Sequence, residues 1–139
     1  MAKAKFDIDE IPAGEDKILR FLNGGVVFIK GGVGEHAYLV KSGKVEIREA
    51  GRAVETMEPG ELFGQMALID SELHGSSAVA VGPTELIRID LDTFHMLVRD
   101  VPGFALTIMR LMARRLRAVQ GTERPKEDLP IVQKSANSG

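Results

Sequence analysis

Three observations predict a mainly β fold, an antiparallel sandwich or barrel followed by two helices. Fifteen of the 139 residues are glycine, above the usual ~7%, and they punctuate the first two-thirds of the chain. Between the glycines lie short β-branched runs with period-2 alternation, bounded by turn signals about every 8–12 residues. After Leu91 that alternation gives way to helical periodicity.

The elements follow in order. Residues 18–22 form a weak alternating run, and residues 26–29 follow the turn Asn23-Gly24-Gly25 and stop at Gly31-Gly32-Val33-Gly34. Residues 37–40 and 45–48 flank Ser42-Gly43, and Ala50-Gly51 leads into residues 53–57. Residues 77–81 and 85–91 flank Gly82-Pro83-Thr84. This pattern predicts seven short strands in antiparallel pairing. One insertion interrupts them: residues 63–69, behind Pro59-Gly60, mix Gln, Met, Ala and Leu, which favour a helix. Such a helix is too short to be stable alone and must be held by the sheet.

Asp92-Thr93 is a candidate cap for a helix through about Arg99, broken by Val101-Pro102-Gly103. A second helix is expected from Phe104 to about Gln120, stopping at Gly121. On it Ala105, Met109, Met112, Leu116 and Val119 recur at spacings 4-3-4-3, an a/d seam, with Arg110, Arg114 and Arg117 on the opposite face. Packing on the chain's own sheet explains the seam as well as a partner helix does. Residues 1–120 are expected to form one domain and residues 121–139, with their Pro, Lys, Glu, Asp, Asn and Ser, a disordered tail.

The chain has no cysteine, which excludes a disulfide scaffold, a cysteine zinc site and thiol catalysis. No apolar run follows the two lysines of the N-terminus, and no uncharged stretch approaches the ~18 residues of a membrane span. A cytoplasmic protein is the expectation. The net charge is −2, unevenly spread. From Arg110 onward seven positive residues face three negative ones, a local +4, which leaves −6 on the first 109 residues. A solvated basic helix face is a simpler account of this than a binding surface.

Nothing in the sequence carries catalysis. His36, His74 and His95 share no metal-ligand spacing, and HExxH, G-x-S-x-G and a P-loop lysine are all missing. No enzyme activity, metal or cofactor is expected. The informative stretch is Phe63-Gly64-Gln65-Met66-Ala67, continuing to His74-Gly75-Ser76-Ser77: a glycine turn, a short helix and a serine-bearing loop. Backbone N–H groups opening a helix attract anions, and Gly64 would let a ligand approach the backbone. A helix that merely covers one end of a barrel reads the same way.

These residues resemble the phosphate cassette of the cyclic nucleotide-binding domain family, F-G-E-x-A-L followed after a few residues by P-R-(S/A)-A. The upstream pattern F-x-x-G-D-x-G-x-x-x-Y-x-V-x-S-G-x-V is met by Phe28, Gly31, Gly34, Tyr38, Val40, Ser42, Gly43 and Val45, with Gly32 at the aspartate. The match covers about residues 18–120. It implies a β-roll, a jelly-roll-like antiparallel barrel with a short cassette helix and two C-terminal helices. It also implies a ligand, cyclic AMP or cyclic GMP, held by Phe63, Gly64, Gln65, Met66, Ala67, His74, Gly75, Ser76 and Ser77.

Two departures weaken that ligand. The family's glutamate, which takes the ribose 2′-hydroxyl, is Gln65, and its arginine, which pairs with the cyclic phosphate, aligns with His74. No arginine lies between Arg52 and Arg88. Losing a charged hydrogen bond of ~1.5–3 kcal/mol predicts affinity lower by roughly one to two orders of magnitude. Two functions remain: a sensor of a weakly held cyclic nucleotide or another small anion, or an interaction module that kept the fold and lost the ligand. A homodimer through the seam is expected, as in family members that dimerise there. Direct DNA binding is not, because only 18 residues follow Gly121 and no helix-turn-helix fits.

Overall fold

A computed structural model describes residues 5–70 and 72–123, with side chains as far as Ala118. Two single 3-10 turns, Ile8–Glu10 and Glu15–Lys17, precede six strands: β1 (Ile18–Phe21), β2 (Val26–Phe28), β3 (Ala37–Glu49), β4 (Arg52–Met57), β5 (Leu62–Phe63) and β6 (Ser77–Ile89). Helix α1 (Gln65–Asp70) lies between β5 and β6, and α2 (Leu91–Asp100) and α3 (Phe104–Glu123) follow. The sheet is antiparallel with order β1-β6-β3-β4, while β2 adds to β6 and β5 to β3. Among the described residues no further strand pairing closes it, and it is an open roll.

Expected strands 37–40 and 45–48 are one strand, as are 77–81 and 85–91. The reason is that the two apparent turns lie opposite each other. β3 and β6 pair from Ala37↔Ile89 to Arg48↔Ser77, with register shifts at Val40/Ser42 and Ser42/Lys44. Gly43 sits there at φ 86, and a Cβ on it would overlap the backbone of Pro83 and Thr84. Across the bulge the buried Thr84 hydroxyl accepts from the Lys44 N–H at 3.4 Å. It lies 3.0 and 3.1 Å from the Lys44 and Gly82 carbonyls, either of which takes its proton. Both strands therefore bend together without parting, as paired bulges do. By contrast Ala50-Gly51 is a true two-residue hairpin, both residues at positive φ (54 and 78), joining Glu49 to Arg52.

The bend wraps the sheet around one core of Tyr38, Val40, Val45, Ile47, Met57, Phe63, Ala78 and Leu86, flanked by Leu19, Phe21, Val27 and Phe28. Phe63, expected at the start of the short helix, is instead extended and fully buried together with Leu62, the two pairing with Tyr38 and Leu39. The helix proper begins only at Gln65.

The cap of α2 is Asp90 rather than Asp92-Thr93: its carboxylate accepts the Thr93 N–H at 2.8 Å. That bond holds the Asp90 carboxyl below its ordinary pKa. Helix α3 continues through Gly121 to Glu123, because a single glycine costs a helix only about 1 kcal/mol. The remainder of the expected tail lies outside the described residues. The chain divides into two units, the first ending at Thr107 and the second beginning at Ile108 within α3. Among the described residues no helix is long and apolar enough to cross a membrane.

Candidate functional site

The cassette begins where β5 ends. Phe63 anchors it in the core, 1% exposed, and Gly64 at φ 77 turns the chain into α1. A Cβ there would crowd the rings of Phe28 and Tyr38. Ala67 and Leu68 face inward, Met66 and Ile69 outward. A Cβ on Gly34 would overlap that of Ala67, so this glycine lets the 29–34 loop lie directly on α1.

Gln65 is 1% exposed, and neither its Oε1 nor its Nε2 has a hydrogen-bond partner. Buried amides are nearly always paired, and leaving one unpaired costs ~1–3 kcal/mol. The sequence marked Gln65 as a departure from glutamate; its isolation could not be foreseen.

His74 is 6% exposed and lies flat on Phe28, ring centroids 3.7 Å apart and planes 3° from parallel. Burial pushes its imidazole below the ordinary pKa. Its backbone is fixed to the preceding loop: the His74 N–H donates to the Gly32 carbonyl (2.9 Å), and the Gly31 N–H donates to the His74 carbonyl (2.8 Å). Ser77 opens β6, and its Oγ accepts the Lys30 N–H at 3.0 Å. Gly75 is exposed and Ser76 half-buried.

The structure thus brings His74 and Ser77 together with the Phe28–Gly32 turn, and sets the Phe28 ring in tilted contact with Tyr38 and Phe63 as well. Phe28 and Lys30 are the residues the sequence reading placed in no site. The first carries the F-x-x-G spacing and the second lies inside it, which is the signal that could have found them. His36 is half-buried beside Tyr38, and His95 is exposed on α2. Among the described residues no group of three or more His, Asp or Glu could hold a metal ion. On α3, Met109 and Leu116 are exposed and Ala105 and Met112 half-buried, while the Val119 side chain lies outside the described residues.

Residues 18–100 match the model of the cyclic nucleotide-binding domain, and the chain belongs to that family. It is 39% identical over 99 residues to the cyclic AMP receptor protein of Thermus thermophilus, covering 68% of this chain and 46% of that one. A CRP-like cAMP-activated global transcriptional regulator of Mycobacterium tuberculosis is 32% identical over 102 residues, covering 70% and 46%. The crystal structure of the Thermus thermophilus catabolite activator protein superposes with a TM-score of 0.68 at 36% identity, over 77% of this chain and 54% of that one. The chain spans about half the length of the curated relatives it matches.

Proposed function

We propose that the chain is a non-catalytic sensor module that takes a cyclic nucleotide, or another small anion, weakly at residues 63–67 and 74–77. The observation that carries this is the Gln65 amide, buried without a partner at the position where the family places its ribose-binding glutamate. A ribose 2′-hydroxyl both donates and accepts, so a ligand admitted to Gln65, which is closed to solvent here, would pair with an amide that nothing in the protein satisfies. Without a carboxylate's charge, that bond is roughly half as strong. The aligned arginine is His74, stacked and drawn toward neutrality, so phosphate recognition is weaker too. His74, Gly75, Ser76 and Ser77 would form the phosphate side of the site.

Calorimetric titration of the full chain with cyclic AMP and cyclic GMP tests this. Binding in the micromolar range or weaker, reduced further by removing the 2′-hydroxyl, is expected. Submicromolar affinity would overturn the reading of Gln65 and His74. No binding to either nucleotide or to small anions would favour an interaction module.

That second reading has its own observation: Met109 and Leu116 leave the α3 seam open to solvent. A homodimer through Ala105, Met109, Met112 and Leu116, extending to Val119, is compatible with either function.

A further inference from the structure

We propose that Lys30 supplies the fixed positive charge of the anion site, taking over from the arginine that the cassette lacks. This rests on the reading of the site given above. A nearby cation strengthens the hold of backbone N–H groups on an anion, and from residue 53 to residue 87 the chain contains no lysine or arginine. The carboxylates Asp70 and Glu72 lie inside the cassette segment and oppose an anion. His74 is the one basic side chain there, and its ring face is taken by Phe28. Burial also favours its neutral form.

Lys30 comes from a different part of the sequence but from the same place in the fold. It occupies the second position of the turn closed by the Gly32 N–H to the Ile29 carbonyl at 2.9 Å. Three hydrogen bonds stitch this turn to the cassette loop: Lys30 N–H to Ser77 Oγ, Gly31 N–H to the His74 carbonyl, and His74 N–H to the Gly32 carbonyl. The Lys30 backbone is therefore fixed one hydrogen bond from a cassette serine. Its side chain is exposed, and among the described residues no ion pair engages it. An ammonium on a flexible four-carbon stem can follow an anion that a rigid guanidinium fork is not there to clamp.

The experiment compares cyclic AMP with adenosine, which shares base and ribose but has no phosphate, by calorimetry on the full chain at pH 7.5 and low salt. Lys30→Gln keeps the backbone N–H that holds Ser77, so the loop stays stitched. It should weaken cyclic AMP about tenfold, leave adenosine unchanged and flatten the salt dependence. Lys30→Arg should retain the wild-type preference for cyclic AMP. Wild-type affinity in Lys30→Gln, or an equal loss for both ligands, would overturn the role of Lys30 while leaving the nucleotide site standing. A wild-type chain that binds neither ligand would overturn the site itself, and Lys30 with it.

Discussion

His74 and Gln65 are both buried polar residues, the first stacked on Phe28 and drawn toward neutrality, the second without a hydrogen-bond partner. Because the native pKa of His74 lies below its unfolded value of ~6.5, the unfolded chain binds the extra proton. Its effect on stability is therefore absent above about pH 6.5 and destabilising as pH falls from there through the lowered native value. Urea unfolding between pH 8 and pH 5 should show this decline, and His74→Phe, which preserves the stack, should remove it. A bound phosphate acts oppositely, favouring the imidazolium. Anion affinity should accordingly be higher at pH 6 than at pH 8, with His74→Ala flattening the difference in titrations. For Gln65, replacement by Met removes an unpaired amide at nearly constant volume. The apo protein should gain about 1–3 kcal/mol in urea unfolding while losing nucleotide binding. A loss of stability instead would show that the amide is paired after all.

At the scale of elements, the test of the local reading is the cap of α2. Asp90→Ala leaves the Thr93 N–H without its acceptor and should cost about 1 kcal/mol, measured by chemical denaturation. Asp92→Ala, by the same measurement, should cost little, because Asp92 is exposed and caps nothing. Sequence alone favoured Asp92-Thr93, since a cap and the residue three positions beyond it look alike until the backbone shows which N–H is free. Strand legibility failed for a related reason. Ser42-Gly43 and Gly82-Pro83-Thr84 are composed like turns, yet each bulge is held open against the other through Thr84. No single-strand pattern contains that information, because it resides in the pairing. The Ala50-Gly51 hairpin, a purely local feature, was legible without it. The cassette was legible as a motif because its spacing is local, but the Phe28–His74 stack and the Lys30–Ser77 bond join residues more than forty positions apart.

The division of the whole molecule at Thr107 assigns the candidate ligand site and most of the proposed α3 seam to different units. Every residue of the candidate site, from Phe28 to Ser77, belongs to the first unit, as does Ala105 at the start of the seam, whereas Met109, Met112 and Leu116 belong to the second. A ligand that binds only the native state stabilises it by RT ln(1 + [L]/Kd), about 1.4 kcal/mol at a concentration ten times Kd. For a domain of about 100 residues each kcal/mol raises Tm by roughly 4–8 °C, so a shift of several degrees is readily measured. Met112→Glu places a charge in the seam and should convert a dimer to a folded monomer in sedimentation. The same variant should keep the Tm increase given by cyclic AMP, since no site residue lies on the seam. A wild-type chain that sediments as a monomer at high concentration would end the dimer. A Met112→Glu monomer that folds but no longer responds to cyclic AMP would show that the partner copy completes the site.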